Sequence, residues 1–215
     1  MKISVITVVY DRASTVAHAL ESLQGQTHQD VEHIVQDGGS TDGTLEILHA
    51  KADGRTAIES RPDNGIYDAI NRGIERATGD VIGLLHSDDF FACPTVLEQV
   101  AEAVATPGVE GAYGDLDYVS AFNPSRVVRR WRSGTYRREQ LARGWMPPHP
   151  TLFLCRSVFE RWGAYDTTFR IAADYDAMLR FLVRGRIELA YIPEVLVKMR
   201  LGGESNRSLG RILRK

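Results

Sequence analysis

Two adjacent aspartates, Asp88 and Asp89, follow a short apolar stretch near the middle of the sequence. Residues 81–85 are apolar apart from one glycine, and such an unbroken run predicts a strand that is covered on both faces. Ligands of open α/β sheets bind beyond the carboxyl ends of the strands. Two carboxylates there can hold a divalent cation against a phosphorylated ligand, although aspartate is also common in turns and at helix N-caps. The stretch alone leaves both interpretations open.

The remaining pattern predicts one compact α/β domain, which a length of 215 residues accommodates. Strands alternate with helices over the first 118 residues, which predicts right-handed crossovers and a Rossmann-like, mostly parallel sheet flanked by helices. Alternation and turn residues from 119 to 132 predict a small antiparallel part at the far side of the sheet. Further strands are predicted at residues 151–154, 188–192 and 195–201, and a helix at 177–183.

Charge is distributed unevenly along the chain, although the net charge is only −2. Residues 1–120 contain 7 Lys/Arg and 20 Asp/Glu, whereas residues 121–215 contain 19 and 8. Seven arginines and one acid, Glu139, lie between positions 126 and 143, near Trp131 and Trp145. Such a run is either a solvated face or a docking surface for anionic lipid or acceptor phosphates. Four basic residues near the end, Arg207, Arg211, Arg214 and Lys215, could extend this face, and Leu209, Ile212 and Leu213 could add a short apolar stripe.

No apolar run approaches the roughly 18 residues of a membrane-spanning helix, and the first nine residues resemble a strand more than a signal peptide. The two cysteines, Cys93 and Cys155, form neither a disulfide framework nor a metal cluster. We therefore expect a cytoplasmic protein.

Other polar residues fall where a ligand could reach them. Asp37 follows a predicted strand and precedes a glycine-rich loop, which favours a ligand contact over a simple turn. Asp174 lies near a predicted helix start, where the helix dipole favours the ionised carboxylate. His149 stands among three prolines that make its segment rigid.

Six motifs occur in an order that resembles the family 2 glycosyltransferases of the GT-A fold. The most similar members are bacterial enzymes that build O-antigen, capsule or other exopolysaccharide. The motifs are Thr7-Val8-Val9-Tyr10-Asp11, Gln36-Asp37-Gly38-Gly39-Ser40-Thr41-Asp42-Gly43-Thr44, Asp63-Asn64-Gly65-Ile66-Tyr67-Asp68-Ala69-Ile70-Asn71-Arg72-Gly73, Ser87-Asp88-Asp89, His149-Pro150-Thr151, and Asp174-Tyr175-Asp176 with Arg180. The resemblance covers nearly the whole chain.

The resemblance implies metal-dependent, inverting transfer of a sugar from a UDP-, GDP- or dTDP-sugar to a lipid-linked glycan. It also implies a nucleotide-sugar-binding half at residues 1–118 and an acceptor-binding half at 119–215. We further expect peripheral contact with anionic lipid at the inner face of the plasma membrane, and no nucleic-acid partner. The implied residues are Asp174 as general base; Asp89, with Asp88, for Mg²⁺ or Mn²⁺; Val8, Tyr10, Asp37, Asp63, Asn71 and Asp88 for the nucleotide sugar; and His149 and Trp145 for the acceptor.

The sequence departs from the family pattern at three places. Gln36 replaces one of two acids that often precede the glycine-rich loop, and Ala173 replaces the glutamate that often precedes the base. Relatives often continue with further helices beyond the segment where this sequence ends, so we expect their contacts to be supplied differently. Two alternatives are a sugar nucleotidyltransferase, although residues 10–14 are not a basic phosphate loop, and a non-catalytic nucleotide-sugar-binding module, which would not need Asp174.

Overall fold

The computed structural model describes residues 1–141 and 144–202. Across these residues, nine strands form one sheet with helices packed against it. The strands are β1 (Ile3–Val9), β2 (Val31–Asp37), β3 (Thr56–Ser60), β4 (Val81–Leu84), β5 (Phe90–Phe91), β6 (Val109–Val119), β7 (Val127–Trp131), β8 (Phe153–Cys155) and β9 (Glu188–Arg200). The helices are α1 (Val16–Gln24), α2 (Thr44–Lys51), α3 (Ile66–Arg76), α4 (Val96–Val104), α5 (Arg138–Leu141), α6 (Arg156–Trp162) and α7 (Ala173–Leu179).

The strand order is β3-β2-β1-β4-β8-β6-β9-β5, with β7 paired to β6. Strands β1 to β4 are parallel to their neighbours among themselves, and β6 is parallel to β9. Strand β8 runs antiparallel between β4 and β6, and β5 and β7 are antiparallel to their own partners. The sheet is therefore mostly parallel, and each of its antiparallel pairings involves a strand of the second half, β7, β8 or β9, which confirms the predicted fold class.

The sheet centre forms where the sequence has unbroken apolar runs. Every residue of β1 and of β4 is buried, because helices and loops cover both faces of these strands. Helix α3 packs its small residues, Ala69 and Gly73, onto this centre. A Cβ atom at Gly73 would overlap the side chain of Ile6, so the absence of a side chain lets the helix approach β1 closely.

Three predicted elements differ from the structure. The two strands predicted at 188–192 and 195–201 are one strand, β9, since a register shift opposite Tyr113 and Asp115 accommodates Pro193 without ending the pairing with β6. The helix predicted from residue 177 begins at Ala173, and a π-helical segment, Arg180–Arg184, follows it. The strand predicted from residue 151 begins at Phe153, because a short 3₁₀ turn, His149–Thr151, precedes it.

The two predicted functional halves share one sheet, since β8 of the second half lies between β4 and β6. Their separate roles in binding remain a prediction. Arg143 and the terminal residues Arg207, Leu209, Arg211, Ile212, Leu213, Arg214 and Lys215 lie outside the described residues. In the part of the chain that the structure describes, no helix is both long and apolar enough to cross a membrane.

Candidate functional site

The aspartate pair lies at the carboxyl end of the central strand, as the sequence predicts. Leu85 continues beside β1 by donating its N–H to Ile6 O at 2.9 Å, and the chain then turns through a bond from Asp89 N–H to His86 O, also 2.9 Å. The turn leaves Asp89 1% exposed and Asp88 half-buried. One carboxylate is thus held inside the protein, while its neighbour is accessible to a ligand.

Arg200, the last residue of β9, encloses this turn. Its N–H donates to Asp89 Oδ1 at 3.2 Å, and its guanidinium donates to Asp88 O at 2.6 Å and also reaches His18 Nδ1. Burial, together with the charge of Asp88, nevertheless raises the pKa of Asp89 well above its usual value, against the opposing effect of Arg200. The site therefore favours an additional positive charge beside Asp89.

The donor set fits a hard divalent cation. No hydrogen-bond donor in residues 1–141 or 144–202 reaches the Asp88 carboxylate, so its oxygens are available as ligands. The same residues contain no group of three His, Cys, Asp or Glu side chains placed to hold a metal ion. Mg²⁺ and Mn²⁺ would therefore take at most these two carboxylates and complete their coordination with phosphate oxygens or water.

The loops that follow β1 and β2 are joined by hydrogen bonds. Asp11 N–H donates to Ser40 Oγ, and Thr41 N–H donates to Asp11 Oδ1, each at 2.9 Å. Asp37 is fully buried, and its carboxylate accepts bonds from the N–H groups of Gly39 and Ser40 and from the hydroxyls of Ser40 and Ser60. Asp37 thus fixes the glycine-rich loop, and its contact with a nucleotide base remains a prediction.

Tyr10 and Asp63 meet beside Gly38. A Cβ atom at Gly38 would lie 2.7 Å from Asp63 Oδ2 and 3.3 Å from Tyr10 Cδ2, so only glycine permits this approach. Tyr10 is 59% exposed and presents a free aromatic ring, and Asp63 accepts a bond from Gly65 N–H at 2.8 Å. The structure brings these two predicted nucleotide-sugar residues together on either side of Gly38.

Two other predicted nucleotide-sugar residues have structural contacts. The side chain of Val8 is 8% exposed and packs in the core with Ile34. Asn71 donates to Tyr165 O at 2.7 Å and accepts from Tyr165 N–H at 2.9 Å, which fastens α3 to the loop after α6. These contacts leave the amide of Asn71 committed to the protein, and the predicted ligand contacts of both residues remain predictions.

Asp174 is the second residue of α7, near a helix start as predicted. Its Oδ1 accepts hydrogen bonds from Tyr67 OH at 3.2 Å and from Tyr175 N–H at 2.9 Å. The Tyr67 ring stacks on Tyr165 with 5.8 Å between centroids. Burial, and then the Asp174 charge, raise the pKa of Tyr67 to about 12, so Tyr67 keeps its proton and remains a donor to the carboxylate.

His149 lies beside this cluster. Its Nε2 and the Tyr165 hydroxyl are hydrogen-bonded at 2.8 Å, and its ring centroid is 6.2 Å from that of His86. Burial lowers the pKa of His149 to about 4, although the Asp174 charge opposes the shift, and burial likewise lowers the pKa of His86. Both imidazoles are therefore neutral near pH 7 and can donate or accept a hydrogen bond from a sugar hydroxyl.

Trp145 is half-buried in a different cluster. It stacks on Tyr136 at 5.3 Å, meets Tyr113 edge-on at 6.0 Å, and donates Nε1–H to Ser133 O at 3.3 Å. The structure thus places Trp145 against β6, and its predicted contact with the acceptor remains a prediction.

Sequence reasoning missed four residues of this site: Tyr67, His86, Tyr165 and Arg200. Tyr67 belongs to a motif that the sequence already singled out, and His86 directly precedes the motif Ser87-Asp88-Asp89. Their polar side chains on a predicted helix and beside a predicted strand end were the available signal. Tyr165 and Arg200 lie in segments without a motif, where only the three-dimensional structure reveals their contacts.

A mostly parallel α/β sheet with an aspartate pair at the end of its central strand, and a further aspartate that accepts a hydrogen bond from a tyrosine, is the arrangement expected of a glycosyltransferase of the GT-A fold. The comparisons agree. The family model named Glycosyl transferase family 2 matches residues 4–162, and the chain belongs to that family.

Curated relatives support the assignment. An uncharacterized glycosyltransferase of Mycobacterium tuberculosis is 34% identical over 183 residues, which are 83% of this chain and 68% of the relative. A PGL/p-HBAD biosynthesis glycosyltransferase of Mycobacterium bovis is 31% identical over 207 residues, which are 94% of this chain and 78% of that protein.

Solved structures with low sequence identity share the fold. The mannosyltransferase PcManGT of Pyrobaculum calidifontis, in complex with GDP-Man and Mn²⁺, superimposes with a TM-score of 0.74 at 16% identity. TarS 1–349 of S. aureus, in complex with UDP-GlcNAc, also gives a TM-score of 0.74 at 16% identity. The likeness covers 100% and 97% of this chain, but only 64% and 61% of those chains.

Proposed function

We propose that the protein is a metal-dependent, inverting glycosyltransferase that moves a sugar from a nucleotide diphosphate donor to a hydroxyl of a lipid-linked glycan. Bacterial cell-surface polysaccharide synthesis is the proposed context. Mn²⁺ and GDP-Man in PcManGT, and UDP-GlcNAc in TarS, support a nucleotide-sugar donor and a divalent cation. The base of the nucleotide and the sugar remain to be identified.

One observation carries the proposal. Asp174 accepts a hydrogen bond from Tyr67, whose ring stacks on Tyr165. Tyr165 is hydrogen-bonded to His149, and the His149 ring centroid lies 6.2 Å from that of His86, just before Ser87 and Asp88. This chain of contacts supports a shared role for the two kinds of carboxylate that sugar transfer needs, although 86 positions separate Asp88 from Asp174 in the sequence.

Asp174 is the proposed general base. Its carboxylate takes the proton of the acceptor hydroxyl while the hydroxyl oxygen forms a bond to the anomeric carbon. The bond from the anomeric carbon to the diphosphate breaks, and its electron pair leaves with the diphosphate oxygen. Attack opposite to the leaving group inverts the anomeric centre. Tyr67 OH holds Asp174 Oδ1 in place by donating to it.

Asp88 and Asp89 are the proposed metal ligands. A bound Mg²⁺ or Mn²⁺ would supply positive charge for the diphosphate as its negative charge grows. Asp89 lies in a nearly water-free position, which strengthens its interaction with a cation. Tyr10 and Asp63, which meet beside Gly38, are the proposed contacts of the nucleoside, together with Asp37.

The neutral imidazoles support an acceptor site beside Asp174. His149 and His86 can exchange hydrogen bonds with sugar hydroxyls without placing a positive charge next to the base. The exposed arginines of the second half support an acceptor at the inner face of the plasma membrane, because an anionic surface would attract them.

Asp174→Asn tests the proposal with a matched control. A thermal-shift screen with UDP-, GDP- and dTDP-sugars plus Mn²⁺ first identifies the donor, since a ligand of the native state raises stability. Hydrolysis of that donor, measured as release of radiolabelled sugar, should then fall about 10²- to 10⁴-fold in Asp174→Asn while donor binding persists. Asp176→Asn is the control, because Asp176 lies on the same helix and pairs instead with Arg180 at 3.1 Å.

A non-catalytic binding module predicts a different result. Donor would bind to the wild type and to both variants, and none would release sugar above the uncatalysed rate. Equal hydrolysis by the wild type and Asp174→Asn would show that another group is the base.

A further inference from the structure

The end of β6, its turn and β7 form a hairpin that combines exposed apolar and cationic side chains. We call residues 119–132 the arginine hairpin. They contain four arginines and no acidic residue. Phe122, in the turn, has 101% of its reference exposure, and Val128 on β7 has 51%. A phenylalanine with this exposure has its whole ring in water, which is unfavourable unless a partner covers it.

The cationic groups surround this apolar tip. Arg126, Arg129 and Arg130 are exposed, and within the described residues none of the three forms an ion pair, whereas Arg132 contacts Asp115 at 3.2 Å. The Arg129 guanidinium lies over the rings of Tyr118 and Trp131, at 5.3 and 5.8 Å from their centroids. Stacking of this kind orients a guanidinium while leaving its N–H groups free for phosphate oxygens.

The hairpin projects from the catalytic edge of the sheet. Strand β6 is parallel to β9, and Val119 is in register with Arg200, whose N–H and guanidinium contact Asp89 and Asp88. Leu201 N–H donates to Val119 O at 3.0 Å, which closes the base of the hairpin onto the same turn. A surface that receives the hairpin therefore also faces the aspartate pair.

We propose that the arginine hairpin docks the protein on a bilayer that contains anionic lipid, with Phe122 inserted among the headgroups and the arginines bound to lipid phosphates. The aromatic ring adds apolar insertion to the electrostatic attraction of the cationic groups, and together they give reversible, salt-sensitive binding at the membrane interface. Charges on an edge strand also prevent strand pairing, but that role does not require an exposed phenylalanine. This orientation places the Asp88–Asp89 edge at the membrane surface, where a lipid-linked acceptor would be reached. The docking proposal rests on the proposed function only in taking the acceptor to be lipid-linked.

Vesicle flotation of the full chain tests the docking. We expect binding to phosphatidylcholine vesicles that contain phosphatidylglycerol, and none to phosphatidylcholine alone. Arg129→Gln with Arg130→Gln should weaken partitioning by about fivefold per arginine. Phe122→Ser should weaken it at least as much as one arginine change, while thermal unfolding stays unchanged because the ring has no contact to lose.

The matched controls lie at the opposite edge of the sheet. Val183, Arg184 and Arg186 are exposed and precede the first residue of β9. Val183→Ser and the double change Arg184→Gln with Arg186→Gln should leave partitioning unchanged. Relative to the wild type, whose own emission includes that of Trp131 in the hairpin, the added emission of Phe122→Trp should be blue-shifted and quenched by brominated lipid on binding. The added emission of Val183→Trp should show neither change.

Three results would overturn the proposal: no binding to anionic vesicles at low salt, equal loss of binding in the control variants, or full binding by Phe122→Ser. The last result, with loss of binding only in the arginine variant, would mean a purely electrostatic patch that could serve a soluble polyanion. The assay needs no donor or turnover. An inactive protein that still docks through Phe122 would refute the proposed function alone, and an active one that does not dock would refute this proposal alone.

Discussion

The side chain of Asn71 could either bind the ligand or support the structure, and substitution of Asn71 distinguishes the two roles. Family resemblance places it among the nucleotide-sugar residues, whereas the structure commits its side-chain amide to the backbone of Tyr165. Asn71→Leu removes both hydrogen bonds and keeps the number and branching of the side-chain heavy atoms. The substitution leaves the backbone O and N–H of Tyr165, whose own side chain is only 6% exposed, without their hydrogen-bond partners.

The expected cost follows from these two bonds. A hydrogen bond contributes about 0.5–1.5 kcal/mol net, and an unsatisfied buried group costs about 1–3 kcal/mol. We expect Asn71→Leu to lower the free energy of unfolding by about 2–4 kcal/mol, which corresponds to a fall in Tm of roughly 4–16 °C for a chain of this size. Asn71→Asp keeps the acceptor, but it places a carboxylate against Tyr165 O and should cost a similar amount.

Two measurements distinguish the roles. Urea denaturation gives the stability, with Asn64→Leu as control because Asn64 is exposed and its side chain makes one bond, 3.3 Å to Asp68. Calorimetry of UDP or GDP binding, carried out well below the Tm, gives the nucleotide affinity. An Asn71→Leu variant that is as stable as the control but binds nucleotide much more weakly would refute the structural role.

Three further predictions concern the metal, pH and packing. Asp89→Ala should abolish the Mn²⁺-dependent part of donor stabilisation in a thermal-shift assay, and EDTA should do the same for the wild type. Asp30→Asn, at the other edge of the sheet, should leave this stabilisation unchanged. Full donor binding in EDTA would contradict the metal prediction. His33 is fully buried and its pKa is lowered to about 4 by burial, so the unfolded chain binds its proton first as pH falls. The contribution of His33 to stability is therefore complete above the unfolded value near 6.5, and about 2 kcal/mol of it is lost between about pH 7.5 and pH 5. In urea titrations the fall in stability over this range should be larger by about that amount in the wild type and His28→Gln than in His33→Gln. Gly83→Ala should lower the free energy of unfolding, measured by urea denaturation, by about 1–3 kcal/mol, because its Cβ would overlap the buried Phe153 ring. Gly54→Ala is the control and should be neutral, since a Cβ there meets no atom within 4 Å. Equal stabilities of the two variants would refute the packing argument.

The sequence pattern predicted those parts of the fold that are determined by residues close together in the sequence. The run before Asp88 predicted a buried central strand, and the alternation after residue 119 predicted the antiparallel hairpin. The three residues of β8 are too few to show a period, so their place between β4 and β6 was not predictable. A proline at position 193 predicted a break that the register shift with β6 avoids.

For the site, the sequence likewise predicted individual residues but not the long-range contacts between them. Motif order singled out Asp88, Asp89 and Asp174, and the structure places Asp88 and Asp89 in one turn after β4 and Asp174 in the first turn of α7. The bond between Tyr67 and Asp174 joins residues that are 107 positions apart, and no periodicity or spacing reports a contact of that kind. The closure of the aspartate turn by Arg200 depends in the same way on long-range packing.

Strand β8 has a consequence for the biosynthesis of this protein. Strands β4 and β6 leave the ribosome first, yet the strand that separates them in the sheet is Phe153–Cys155. Until those residues emerge, each of the two earlier strands carries an unpaired edge and an apolar face. Such edges promote association between nascent chains. A pause in translation after β6 has emerged and before Phe153–Cys155 has emerged therefore exposes the chain to aggregation.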